Sequence, residues 1–214
     1  MTINYRKIAN QYEFELEQHQ TGFRAVGWPR VEDTLLRFIV MLDLLRNDIK
    51  KPEDKTQSLI DIGCGLGHLF EFIQENQIQL IQYSGLDISP KYIDRCEKKF
   101  PETKFYCCDL LAEEFNVKFD FAVMNGVFTQ KFSIGQDEMF TLIKVVLKKV
   151  FSLVNKGMAF NVMSPKVDFK KEGAFHLDFS ILINFIVENL SRNFVIRHDY
   201  GLYEYTCYVY KETK

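Results

Sequence analysis

Residues Ser58 to Phe70 read "SLIDIGCGLGHLF": an apolar run of strand length, then glycines at 63, 65 and 67, then a helical pattern. A run that ends in alternating glycines and passes into helical periodicity marks a strand turning tightly into a helix. With three side chains removed, a ligand can approach both the backbone and the helix N-terminus closely. A second element stands further on, in "YSGLDISPKYID", where Asp87 ends the next predicted strand twenty positions after Gly67. An acidic side chain there is placed to accept hydrogen bonds from both hydroxyls of a ribose. As a plain helix-flanking carboxylate it would be redundant, because Ser89 and Pro90 already offer N-cap and first-turn chemistry.

The spacing also excludes two nucleotide classes. A dinucleotide fingerprint G-x-G-x-x-G started at Gly63 needs its third glycine at position 68, which is His68; glycine comes one place early, at Gly67. That disfavours pyrophosphate and a nicotinamide-dependent reductase. No G-x-x-x-x-G-K-[ST] stretch is present, which disfavours a triphosphate on a P-loop.

Outward from this stretch, short apolar runs alternate with helical patterns. The runs "SLIDI", "YSGLD", "KFYCC", "FDFAVM" and "GMAFNVM" predict strands; "HLFEFIQEN", "PKYIDRCEKKF" and "DEMFTLIKVVLKKVFSLV" predict the helices between them. Alternation of this kind predicts an α/β fold with parallel strands and crossover helices. After a helix over "FSILINFIVENL", the runs "NFVIRH" and "YEYTCYVY" are separated by a few residues around Gly201, which predicts a hairpin and an antiparallel last strand. Ahead of the core, Tyr5, Ile8, Ala9, Tyr12 and Leu16 predict a first helix, and Leu35, Leu36, Phe38, Ile39 and Leu42 form the apolar stripe of a second. The polar connector "NDIKKPEDKTQ" marks the boundary between an N-terminal helical extension or lid (1–50) and the core domain (57–214).

With 214 residues and 47% hydrophobic composition, the chain can bury one substantial core. Its 27 Lys and Arg against 29 Asp and Glu give no broad cationic field for a nucleic-acid backbone. The polar, amphipathic N-terminus lacks the apolar run of a signal peptide, and no segment is apolar enough to span a bilayer; a soluble cytoplasmic protein is expected. The five cysteines show neither metal-ligand spacing nor a C-x-x-C pair, so small buried core residues and no metal are expected.

Taken together, "LIDIGCGLGHL", "GLDISPKYI", "FYCCDLL" and "FDFAVMNGVF" resemble the successive motifs of class I S-adenosylmethionine-dependent methyltransferases over roughly residues 58–210. The flanks "GFRAVGWPRVEDTLLRF", "AFNVMSPK" and "RHDYGLYEYTCYVYK" resemble a group of small bacterial methyltransferases of uncertain substrate. The resemblance implies a Rossmann-like seven-stranded sheet in the order 3-2-1-4-5-7-6, with helices on both faces and S-adenosyl-L-methionine over the carboxyl ends of the strands. It further implies that Asp61, Gly63, Gly65 and Gly67 shape the pocket for the methionine portion. Asp87 would bind ribose, Ile88 would pack on adenine, and Asp109, with Leu110 behind it, would meet the adenine edge. Asn125 and Gly126 would lie beside the reactive methyl group. The chain departs from the amide- and base-directed amine methylases, which carry an acidic or Asn residue, two prolines and an aromatic where this chain has "MNGVF"; a nucleophilic cysteine is absent there as well.

Methyl transfer from a sulfonium is chiefly a matter of position, since the cofactor carries the reactive group. A hydroxyl or protonated amine acceptor must still lose a proton, and histidine is the natural base near neutral pH. His176 and His198, each following a predicted strand, are expected on the carboxyl-end face as candidate bases. Trp28 and Arg37 are candidates for a lid wall and an anchor for an acidic group of the substrate, with core packing and a solvated helix face as the plain alternatives. The expected function is O- or N-methylation of a small soluble acceptor. A non-catalytic cofactor-binding sensor or accessory subunit is the alternative, since a pocket indicates binding more directly than turnover.

Overall fold

The computed structural model describes residues 4–45 and 55–212. The first nine residues after Leu45 fall outside that range, so most of the connector expected to divide extension from core lies outside the described residues. Helices α1 (Arg6–His19) and α2 (Val31–Leu42) precede the core, with a short 3-10 turn (Phe23–Val26) between them. Strands β1 (Gln57–Ile62), β2 (Ile81–Asp87), β3 (Lys104–Cys107) and β4 (Phe119–Met124) follow, with α3 (His68–Glu75) and α4 (Pro90–Lys99) after β1 and β2. The chain continues through α5 (Gln136–Leu153), β5 (Val154–Met163), α6 (Phe179–Asn189), β6 (Phe194–Arg197) and β7 (Glu204–Tyr210).

The strands form one sheet in the order β3-β2-β1-β4-β5-β7-β6, as the resemblance implies. All neighbours are parallel except β7, which runs antiparallel to both β5 and β6. Successive side chains on a strand face opposite ways, so each central strand feeds two cores. Ile60 and Ile62 of β1 join Met139, Leu142 and Leu147 of α5 and Leu182 of α6 on one face. Leu59 of β1 joins Phe38 and Met41 of α2, Leu69 of α3 and Ile93 of α4 on the other. This double burial is why β1 and β4 read as continuous apolar runs rather than as alternating ones.

Two local expectations are corrected. On α2 the buried residues are Thr34, Phe38, Val40 and Met41, while Leu35 and Ile39 of the predicted stripe are exposed. Thr34 reaches the inside because its hydroxyl donates to the Arg30 carbonyl at 2.8 Å, which lets a polar residue sit on a packed face. Four of the five cysteines are buried as expected, but Cys107 is exposed; all are free thiols. Among the described residues no helix is long and apolar enough to cross a membrane.

Candidate functional site

At the carboxyl ends of β1, β2 and β4, a cavity of about 230 Å³ is walled by the glycine turn, the strand ends and the N-terminal elements. The turn is built as its composition demands. Gly63, Gly65 and Gly67 hold φ of 74°, 53° and 73°, in the left-handed region that other residues enter at a cost. A Cβ at Gly63 would fall 2.8 Å from Val127 Cγ2, and one at Gly65 would fall 2.9 Å from Val26 Cγ1, so neither position takes a side chain unless the valine gives way. Gly67 differs from the expectation. It lies outside the cavity wall and packs instead toward α4, where an added Cβ would meet Phe100 at 3.1 Å and Cys96 Sγ at 3.4 Å.

Asp61, Asp87 and Asp109 all line the cavity and are all buried. Asp61 accepts a hydrogen bond from the Tyr83 hydroxyl at 2.9 Å, and burial pushes its carboxyl up to about 7. Asp87 accepts from the Gly65 amide at 3.0 Å and the Ser89 amide at 2.9 Å, tying the glycine turn to the head of α4. Burial raises its pKa, opposed by those backbone donors. Ser89 sits at the N-cap of α4 but does not cap it through its side chain; its hydroxyl donates to Glu13 Oε1 at 2.6 Å. The helix-flanking work expected of Ser89 thus falls partly to Asp87. A carboxylate has about four acceptor sites, so Asp87 retains capacity for a ligand.

Asp109 is already engaged by the N-terminal extension. Its Oδ2 accepts from the Tyr5 hydroxyl at 2.8 Å and from an Arg6 guanidinium nitrogen at 3.1 Å, and its Oδ1 accepts from the Leu111 amide at 3.1 Å. Ile88 and Leu110 also line the cavity and give it apolar surface. Asn125 and Gly126 line it at the end of β4, and both polar atoms of the Asn125 side chain are buried with no protein partner. An unpaired buried amide costs about 1–3 kcal/mol, which a bound molecule can recover.

The two candidate bases do not reach this cavity. His176 follows β5, and its Nδ1 lies 2.7 Å from the Ser164 carbonyl, to which it donates; its Nε2 is buried without a partner. His198 follows β6, the edge strand, and packs edge-on against Phe179 with ring centres 5.7 Å apart. Two strands separate β6 from β4, or about 14 Å at the usual strand spacing. Both histidines follow strands that lie beyond β4 in the sheet order, so they stand aside from the cavity, which is lined from the carboxyl ends of β1, β2, β3 and β4. The histidine on the cavity is His68, the first residue of α3, packed on Phe23 with ring centres 4.7 Å apart and pushed down to about 4 by burial. It is a neutral imidazole at pH 7.

Trp28 lines the cavity, but Arg37 does not: its guanidinium pairs with Glu204, with N–O distances of 2.8 and 2.9 Å. It is spent internally and cannot anchor an acidic substrate. Tyr5, Tyr12, Phe23, Phe38 and Tyr92 also line the cavity, and no motif in the sequence marks them as site residues. Helical periodicity marked several of them only as packing residues. Among the described residues no His, Cys, Asp and Glu cluster could hold a metal ion.

The strand order, the glycine turn and the acidic residue ending β2 define the Rossmann-like methyltransferase fold. Residues 60–157 match a family model described as a methyltransferase domain. A Mycobacterium tuberculosis protein described as a methyltransferase is 26% identical over 156 residues, covering 72% of this chain and 93% of that protein. Among solved structures, the N-methyltransferase NodS from Bradyrhizobium japonicum, bound to S-adenosylhomocysteine, superposes with a TM-score of 0.64 at 14% identity, covering 95% of this chain and 98% of that one. The 1,6-didemethyltoxoflavin-N1-methyltransferase of Burkholderia thailandensis gives 0.63 at 12% identity, covering 100% and 92%. The domain match, the methyltransferase relative and the shared fold support a class I S-adenosylmethionine-dependent methyltransferase.

Proposed function

We propose that this enzyme transfers the methyl group of S-adenosylmethionine to a small acceptor through oxygen or nitrogen, with residues 57–214 as the catalytic domain and the N-terminal helices as its lid. The observation that carries the reading is one cavity shared by Gly63 and Gly65 in left-handed backbone, the buried Asp87, and an Asn125 amide with no protein partner. The cofactor supplies a methyl group already activated on a sulfonium, so the protein's work is binding, orientation and exclusion of water. Gly63, Gly65 and Asp61 hold the methionine end, Asp87 the ribose, and Ile88 and Leu110 the adenine faces. Asn125 and Gly126 face the sulfur. Asp109 meets the adenine edge only by sharing or giving up Tyr5 and Arg6.

Neither His176 nor His198, both off the cavity wall, is assigned as base. With His68 held neutral and weakly basic, transfer by positioning alone, to an acceptor that arrives as a neutral nucleophile, fits the site best. The same observation favours, as a second reading, a cofactor-binding sensor or accessory subunit without turnover. Calorimetric titration with S-adenosylmethionine and S-adenosylhomocysteine, followed by incubation of methyl-labelled cofactor with a metabolite pool, separates the two. Binding with a labelled small-molecule product supports the enzyme. Tight binding with no labelled product from any pool supports the sensor, and binding of neither form defeats both.

A further inference from the structure

The end of β4 sits inside a closed circuit of contacts. The Gly126 amide donates to Asn161 Oδ1 at 2.7 Å, and Asn161 Nδ2 donates to Glu204 Oε1 at 2.8 Å. Arg37 Nε lies 2.9 Å from both Glu204 oxygens. The Arg37 guanidinium lies over the Trp28 ring, 4.8 Å from its centre. Trp28 then returns to the start: at Gly126, whose φ is +81°, an added Cβ would fall 2.6 Å from Trp28 Cζ2. The circuit joins the N-terminal extension (Trp28, Arg37) to three strands of the core, and Asn161 and Glu204 are 0% and 2% exposed.

Buried ion pairs of this kind are weak sources of stability, since apolar residues of similar volume often replace them at no loss. What the circuit does supply is geometry. It fixes the direction of the Gly126 amide and holds the Trp28 ring against the turn that borders the cavity. We infer that Arg37, Glu204 and Asn161 are positioning residues that hold the β4 turn and Trp28 as one rigid wall facing the cofactor sulfur. The inference rests on the proposed placement of the sulfur beside Asn125 and Gly126. Because the guanidinium is consumed in the circuit, the wall is aromatic and uncharged, which selects an acceptor with no anionic group at its reacting end.

The test uses Arg37→Met/Glu204→Gln, which removes both charges together and keeps an acceptor for Asn161 Nδ2, beside Asn161→Ser, which cuts the circuit elsewhere and leaves the ion pair. Trp28 is the only tryptophan, so its fluorescence reports the wall directly. In a variant whose thermal midpoint stays near that of the wild type, acrylamide quenching of Trp28 should rise about twofold or more. The ratio of affinities for S-adenosylmethionine and S-adenosylhomocysteine, which differ only at the sulfur, should shift by about threefold or more, or about 0.7 kcal/mol. A merely structural role would change both affinities alike or neither. Arg37→Lys, which keeps the charge but not the fork, should restore the ratio only in part. Unchanged quenching and an unchanged ratio in either folded variant overturn the inference. Wild-type protein that binds neither cofactor form defeats the placement of the sulfur, and quenching then decides the circuit alone.

Discussion

Asp87 does two jobs with one carboxylate, and its substitution should expose both. Asp87→Ala removes the acceptor for the Gly65 and Ser89 amides along with the one proposed for ribose. Hydrogen bonds to charged groups contribute about 1.5–3 kcal/mol each, so cofactor affinity should fall at least tenfold by calorimetry. Unchanged affinity would remove Asp87 from the binding site and leave it as a loop tie. Gly65→Val is the complementary test. Its backbone is left-handed and its Cβ would press on Val26, so the variant should lose binding while a thermal melt still shows a folded protein. Near-normal binding would mean that the turn needs glycine but the ligand does not.

Helix α1 lines the cavity with Ile8, Ala9 and Tyr12, and side-chain hydrogen bonds tie it and the neighbouring Tyr5 to the core. Tyr5 and Arg6 hold Asp109, the Tyr92 hydroxyl donates to the Tyr12 carbonyl, and Glu13 accepts from Ser89. The Arg6 side chain is 68% exposed, so its ion pair is screened by solvent and contributes little. The Tyr5 hydroxyl is the stronger tie. If α1 must lift for exchange, Tyr5→Phe should speed S-adenosylhomocysteine dissociation about tenfold in stopped-flow measurements, the rate effect of about 1.4 kcal/mol. Equal rates in wild type and variant would show that exchange does not pass under α1. The sequence marked this segment as a helix with an apolar face, but a carboxylate 104 residues away in the chain leaves no trace in helical spacing.

Across the whole molecule, the buried Asp61 and the half-buried His68, both on the cavity, make stability depend on pH in opposite senses. Asp61 binds its proton more tightly folded, at about 7, than unfolded, at about 4. Its contribution is therefore present in acid and is lost as pH rises through about 7. His68 is held at about 4 against about 6.5 unfolded, so its contribution is present above about 6.5 and is lost as pH falls through about 4. In melts of the cofactor-free protein, Asp61→Asn should gain thermal midpoint relative to wild type as pH rises from 4 to 7 and then level off. A constant offset across that range would show that Asp61 titrates as an ordinary exposed carboxylate. His68→Gln should retain more of its midpoint than wild type on the acid side.

What the sequence determined by itself was the frame of the site. Short apolar runs alternating with helical patterns specified parallel strands, alternating glycines specified a tight strand-to-helix turn, and an acid at the end of the next strand specified a second polar group for a ligand. These are consequences of local geometry, in which each backbone conformation restricts the residue types it accepts. Tertiary structure alone decided what surrounds that frame. Arg37 and Glu204 are 167 residues apart and meet only because α2 lies over the sheet near β7, and His198 is excluded only because β6 is the outer strand. Pairings of this kind arise from packing between elements. Periodicity can say that a residue faces inward but not which residue it will face.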